Sequence, residues 1–326
     1  MSTETRSMDR RQFLLTLGAA GVSAFGQESR YCKETHTFKT VGDCAIRADV
    51  YLPPGGRRRP LILWIHGGAL IMGHRRNIHP DQLERYIGAG YVVVSIDYRL
   101  APEAKLKAII EDVQDAFRWV REKGLKQFDI DPDRLAVIGH SAGGYLALMT
   151  GFVVRPRPKA IVSFYGYGDI AGPWSSRPDP FYSKQPPVSK EEAYRVVGGP
   201  VISGTPGPHQ RFRFYLYCRQ NGFWPKEVAG HDPDTDPQAL DRFCPVRNIT
   251  AEYPPTLLLH GDKDTDVPYE QSVLMAKKLS GAGVKHELIT IPDGQHGFDA
   301  RFQDPVVAKA FDQVITFLRQ NLLNLA

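Results

Sequence analysis

Residues 139–144 read Gly-His-Ser-Ala-Gly-Gly, directly after the apolar run Leu135-Ala136-Val137-Ile138 and directly before Tyr145-Leu146-Ala147-Leu148-Met149. The first run predicts a buried strand and the second a helix. Between them lies G-x-S-x-G, whose glycines permit a sharp bend that leaves the central serine oxygen exposed at the C-terminal edge of a sheet. By composition, about one chain in ten of this length would carry the pattern by chance. The strand before it and the helix after it are what give Ser141 weight as a nucleophile.

Two further strand-plus-loop segments lie downstream. Residues 256–268 read Thr-Leu-Leu-Leu-His-Gly-Asp-Lys-Asp-Thr-Asp-Val-Pro, an apolar strand running into a loop that offers Asp262, Asp264 and Asp266. Residues 289–298 read Ile-Thr-Ile-Pro-Asp-Gly-Gln-His-Gly-Phe, a second strand ending at His296. Serine, then aspartate, then histidine is the chain order of α/β hydrolases, not of chymotrypsin or subtilisin.

Through these segments the sequence resembles the esterase/lipase group of the α/β-hydrolase superfamily. Within that group it is similar to the hormone-sensitive-lipase-like and prolyl-oligopeptidase-related bacterial esterases. His66-Gly67-Gly68-Ala69 resembles the HGGG oxyanion motif, and residues 97–103 match DYRLAPE. Residues 139–144 resemble the nucleophile motif, and His260-Gly261 followed by Asp264 the acid loop. The resemblance covers residues 31–323. It departs from the group at Ala69, where the third oxyanion glycine would stand, and in leaving no room for an N-terminal helical cap.

The rest of the chain is consistent with such a fold. Strands are expected at 31–41 and 44–52, joined at Gly42-Asp43, then at 61–66, 91–97, 135–139, 160–165, 256–260 and 286–291. The stretch 91–97 is almost continuously β-branched, as suits a parallel strand buried on both faces. Helices are expected at 80–89, at 109–123 with Ile110, Val113, Phe117 and Val120 at helical spacing, after Ser141, and at 271–279 and 305–323. Together these predict a mostly parallel eight-stranded sheet with helices on both faces. Residues 167–250 interrupt the rhythm after the sixth strand and are dense in Pro, Gly and aromatics. They read as a lid or cap insert, with helices starting near Ser189, where a capping-box pattern stands, and over 208–220. The insert's Trp174 and Trp224 are candidate substrate-binding residues. The plainer alternative is that most of these aromatics pack the insert onto the sheet.

Chemically, Ser141 needs a base, and the imidazole of His296 titrates in the right range. The imidazole in turn needs one carboxylate to fix its tautomer. The resemblance implies Asp264, with Asp262 and Asp266 as loop-capping or solvated residues. An oxyanion needs preorganised amides. One is expected from Ala142, the residue after the nucleophile. The resemblance assigns two more to Gly68 and Ala69, makes His66 a residue that shapes the loop, and gives Tyr98, Arg99 and Glu103 either a bracing network or a plain surface ion pair. His74 and His79 have no acidic residue at ligand spacing, so no metal site and no cofactor is expected.

Length and charge exclude other classes. The 326 residues carry a formal net charge of +5, part of it in Arg6, Arg10 and Arg11. The run Arg57-Arg58-Arg59 reads as a solvated turn rather than a nucleic-acid patch. Arg10-Arg11 ahead of a short apolar stretch reads as a twin-arginine export signal over residues 1–26, which leaves 27–326 as the hydrolase domain. That stretch is too short for stable membrane insertion after processing, so a periplasmic or secreted protein is expected. Export would permit pairing of the four cysteines. Cys218 with Cys244 is the better candidate pair, Cys32 and Cys44 fall out of register, and free buried thiols are equally compatible. The expected activity is hydrolysis of a small-molecule ester through an acyl-enzyme, on a short-acyl or acetyl ester. No residue specifies the alcohol, and the sequence does not fix the oligomeric state. A prolyl-oligopeptidase-like peptidase or amidase is the alternative. A non-catalytic binding protein on the same fold is disfavoured by the complete Ser, Asp and His set, and the acyl acceptor stays open.

Overall fold

The structure is a computed structural model describing residues 31–205 and 209–323. The expected export signal, residues 1–26, lies outside the described residues. Among those described, no helix is long and apolar enough to cross a membrane.

Eight strands form one sheet: β1 (Cys32–Val41), β2 (Cys44–Leu52), β3 (Arg59–Ile65), β4 (Val92–Ile96), β5 (Ile130–His140), β6 (Ala160–Phe164), β7 (Thr256–Gly261) and β8 (His286–Ile291). Their order is β1-β2-β4-β3-β5-β6-β7-β8. The β1–β2 hairpin is antiparallel and joins antiparallel to β4; every later pairing is parallel. All five residues of β4, Val-Val-Val-Ser-Ile, are buried. That run can only belong to a strand covered on both faces.

The cover is visible in β3, where side chains alternate between two cores. Leu61, Leu63 and Ile65 pack on one face with α2 (Leu106–Phe128), α3 (Ala142–Val153) and α8 (Glu270–Gly281). Ile62 and Trp64 pack on the other with α1 (Pro80–Gly88) and α9 (Pro305–Leu322). Helix α2 is longer than expected. Strand β5 begins at Ile130, ahead of the predicted start, because Ile130 pairs with Arg59 across a register shift before Leu135 pairs with Leu61. Asp131-Pro132-Asp133 hides that first contact by looking like a turn.

Between β6 and β7 the described residues form four α-helices, α4 (Pro173–Ser176), α5 (Lys190–Tyr194), α6 (His209–Asn221) and α7 (Trp224–Ala229). Ser189 caps α5 by accepting the Glu192 amide at 3.1 Å, as the capping pattern predicted. All four cysteines are free thiols, so Cys218 and Cys244 do not pair. The Cys244 thiol instead donates to Asp169 at 3.3 Å. Cys32 lies opposite Leu52 and Cys44 opposite Val41, out of register as expected.

Candidate active site

Ser141 sits between β5 and α3 with φ 55° and ψ −119°, a backbone conformation costly for any residue with a side chain. The turn survives because the surroundings over-determine it. The Ser141 amide donates to the Phe164 carbonyl of β6 at 2.9 Å, and the Ser141 carbonyl accepts from Tyr145 at 2.9 Å. A Cβ at Gly139 would collide with the Gly143 carbonyl, so this crossing needs glycine.

The strand-end loops deliver the other groups. His296 Nε2 lies 3.1 Å from Ser141 Oγ, and its Nδ1 lies 2.7 Å from Asp264 Oδ2. Asp264 is fixed in turn: its Oδ1 accepts the amides of Asp266 at 2.8 Å and Val267 at 2.9 Å, and its Oδ2 lies 3.3 Å from His260 Nε2. Burial alone would raise the Asp264 carboxyl. The hydrogen bonds from His260, His296 and the Val267 amide outweigh it and hold the group well below the usual carboxylate range. Burial likewise opposes charge on His296, yet the carboxylates of Asp266 and Asp264 leave its imidazole raised above the ordinary value. Asp262 faces away and accepts the Asp293 amide at 2.8 Å.

The loop after β3 closes over the serine. A Cβ on Gly67 would stand 2.8 Å from the His140 carbonyl and 3.3 Å from Ser141 Cβ. Gly68, Ala69 and Leu70 all have positive φ (107°, 55° and 64°). Ala69 therefore adopts the backbone a third glycine would. Among the described residues, the amides of Gly68, Ala69 and Ala142 donate to no protein acceptor. His66 is fully buried, stacks on Tyr98 with ring centroids 4.2 Å apart, and is pushed by burial down to about 3.

The motif residues 97–103 divide. Tyr98 donates to the His66 carbonyl at 3.0 Å. Glu103 pairs with buried Arg211, whose Nη1 donates to the Ile71 carbonyl at 2.9 Å. Both brace the loop after β3. Arg99 instead forks onto Asp112 of α2, through Nε and Nη2 at 2.8 Å each, and plays no part there.

A pocket of about 650 Å³ opens onto this centre. Gly67, Gly68, Ala69, Ser141 and His296 line it, and the insert adds Tyr182, Phe212 and Tyr215. Trp174 and Trp224 do not line it, which corrects the expectation for both. Each indole N–H is satisfied elsewhere: Trp174 donates to the Asp169 carbonyl at 2.7 Å, and Trp224 to the Ala69 carbonyl at 3.1 Å. They pack against Tyr167 and each other beneath the pocket loop.

The roles of two acidic residues are not evident from the sequence. Asp266, largely buried, lines the pocket with Oδ2 3.4 Å from His296 Nε2. Asp299, three residues after His296, is buried beside the Ser141 turn, 2.8 Å from His140 Nδ1, and accepts from Tyr165 and Gln82. Tyr165 packs against His296 with centroids 4.6 Å apart. Only the spacing of Asp299 from His296 was there to be noticed. Among the described residues, no group of three or more His, Cys, Asp or Glu side chains could hold a metal ion.

Residues 48–179 match the BD-FAE family, and residues 213–324 match the prolyl oligopeptidase family. Among characterised proteins, the non-reducing polyketide synthase ausA of Emericella nidulans is 30% identical over 89% of this chain, and 5-methylorsellinic acid synthase of Aspergillus terreus is 32% identical over 83%. The chain spans only 14% and 12% of the length of these two relatives. Among solved structures, an α/β-hydrolase superfamily protein from Enterococcus faecalis superposes with a TM-score of 0.69 at 22% identity, covering 89% of this chain and 99% of its own. Esterase 2 of Thermogutta terrifontis with butyrate bound superposes with a TM-score of 0.64 at 23% identity, covering 88% and 94%. The two family matches fall one after the other along a single sheet of this order, and the chain has the α/β-hydrolase fold.

Proposed function

We propose that the chain is a serine carboxylesterase acting through an acyl-enzyme. One observation carries the reading: Ser141 Oγ, His296 and Asp264 form a continuous relay of 3.1 Å and 2.7 Å contacts at the floor of the pocket. In this mechanism His296 Nε2 takes the Ser141 proton as Oγ attacks the ester carbonyl. The oxyanion that forms is met by the amides of Gly68, Ala69 and Ala142, one such donor being worth about 3 kcal/mol. The imidazolium, held by Asp264, then passes its proton to the departing alkoxide. Water repeats the sequence and frees the acid. A short acyl group fits the reading, since esterase 2 of Thermogutta terrifontis is seen with butyrate and with propionate bound. The polyketide synthase relatives keep open an acceptor other than water. The match to the prolyl oligopeptidase family over the acid and histidine loops supports amide cleavage as the second reading.

The test is Ser141→Ala, which should lower kcat on p-nitrophenyl butyrate by at least ~10³-fold with folding intact. A fluorophosphonate should label the wild type at Ser141. Labelling at another serine refutes the assignment. A p-nitroanilide hydrolysed faster than the matching ester would favour the amidase reading.

A further inference from the structure

The relay of Ser141, His296 and Asp264 is complete without Asp266, yet Asp266 is held with unusual care. Its Oδ1 accepts from the Tyr215 hydroxyl and from Arg219 Nη1 at 2.9 Å, and its carbonyl accepts both Arg219 nitrogens at 3.0 Å. Arg219 is buried and locked from behind, its Nη2 donating to Asp179 at 2.5 Å. A carboxylate anchored through one oxygen presents the other in a fixed direction. That oxygen, Oδ2, lies 3.4 Å from His296 Nε2, and the Tyr182 hydroxyl stands beside the same carboxylate. The side chain remains 17% exposed, which a ligand in the pocket can reach.

This placement bears on the leaving group. Its oxygen must come within about 3 Å of Nε2 to receive the proton. It therefore shares one N–H with Oδ2. If Oδ2 takes that hydrogen bond, the proton is not delivered. A substrate donor that occupies Oδ2 frees Nε2–H for the leaving oxygen. A hydroxyl on the neighbouring carbon lies roughly 3 Å from the leaving oxygen and donates across about 2.8 Å more, which spans the gap.

Resting on the esterase reading, we propose that Asp266 is a specificity-determining residue whose Oδ2 accepts a hydrogen bond from the leaving alcohol. It thereby selects esters with a hydroxyl on the carbon next to the ester-bearing carbon, as in monoesters of vicinal diols.

A matched series tests it: 2-hydroxyethyl, propyl and 2-methoxyethyl butyrate, with kcat/KM measured on the full chain and on Asp266→Asn. In the variant the amide oxygen stays with Arg219 and Tyr215, so an NH₂ donor replaces Oδ2. Ratios taken within one enzyme cancel any change in His296 protonation or in total active enzyme. The hydroxyethyl-to-propyl ratio should be at least about tenfold larger in the wild type than in the variant, as a hydrogen bond to a charged group warrants. Equal ratios within twofold overturn the inference. The wild type alone gives a second check, independent of how the variant folds: the methoxyethyl ester, which lacks the donor, should behave like the propyl ester. If it matches the hydroxyethyl ester, the donor role is overturned. If the wild type turns over none of the three, the esterase reading itself fails and this inference falls with it. If turnover persists without the preference, this inference alone is lost.

Discussion

Replacing Asp264 by Asn changes one atom, and the surrounding bonds dictate where that atom goes. Oδ1 accepts two backbone amides, from Asp266 and Val267 at 2.8 and 2.9 Å. An NH₂ cannot take that place, so the amide oxygen stays there and the nitrogen lands at the Oδ2 position, 2.7 Å from His296 Nδ1. It donates to Nδ1 and forces the ring proton onto Nε2. Nε2 then faces Ser141 at 3.1 Å as a donor and cannot accept the serine proton. Asp266 Oδ2, 3.4 Å from the same nitrogen, holds it in that state. The corresponding change in a chymotrypsin-type protease costs about 10⁴ in kcat. We expect at least that here, or about 5.5 kcal/mol of barrier at 1.36 kcal/mol per decade. Steady-state hydrolysis of p-nitrophenyl butyrate, with circular dichroism to verify folding, should show kcat and kcat/KM falling together. Asp262→Asn, which keeps an oxygen for the exposed Asp293 amide and loses only a charge, should stay within about threefold. Asp264→Asn within tenfold of wild type, with Asp262→Asn collapsed, would refute the argument.

Trp224→Phe removes the donor to the Ala69 carbonyl and should cost about 1–3 kcal/mol of stability, with kcat falling more than KM changes; an unchanged kcat with normal folding would count against a bracing role. On the acid side, kcat/KM requires neutral His296, whose value is raised, so its midpoint should lie above about 6.5 and move down in Asp266→Asn. A midpoint at or below the ordinary value, or one unmoved by the substitution, contradicts the geometry. The same shifts set stability in opposite senses: the raised His296 contributes fully below its unfolded value and fades as pH rises through the folded one, whereas the depressed Asp264 contributes above its unfolded value and is lost as pH falls.

What could be read from the residues was whatever the local chain decides. The run Val92–Ile96 has no state but a strand buried on both faces, and the glycines around Ser141 have few uses other than a tight turn. That Ser141, Asp264 and His296 come together was legible because each ends a strand in a known order. Asp266 was not, because its partners Tyr215 and Arg219 lie 51 and 47 residues away, in the insert. Nothing beside it in the sequence distinguishes a pocket carboxylate from a solvated one. The tryptophans failed for a related reason. An aromatic near a site serves the pocket or the scaffold according to where its N–H finds an acceptor, and for Trp224 that acceptor lies 155 residues away. Helices α4 and α7, of four and six residues, are too short to show a period.

The insert's service to the site is therefore partly indirect, and the loop after β3 shows why it is needed. Ala69 and Leu70 are consecutive non-glycine residues at positive φ, each costing about 1–2 kcal/mol. A loop with that penalty relaxes unless something else holds it. Within the loop, the Gly68 carbonyl accepts the amides of Ile71 and Met72 at 2.9 Å each, and beyond it Ala101 donates to the Leu70 carbonyl at 2.8 Å. Among the described residues, the Ala69 and Ile71 carbonyls are held from the insert: Ala69 by Trp224 of α7, and Ile71 by Arg211 of α6, itself charge-paired with Glu103. The strained peptides that leave the Gly68 and Ala69 amides free are thus kept in place by the segment that also walls the pocket with Tyr182, Phe212 and Tyr215. Phe212 and Tyr215 of that wall share α6 with Arg211, so the pocket wall and the loop beside Ser141 rest on one helix.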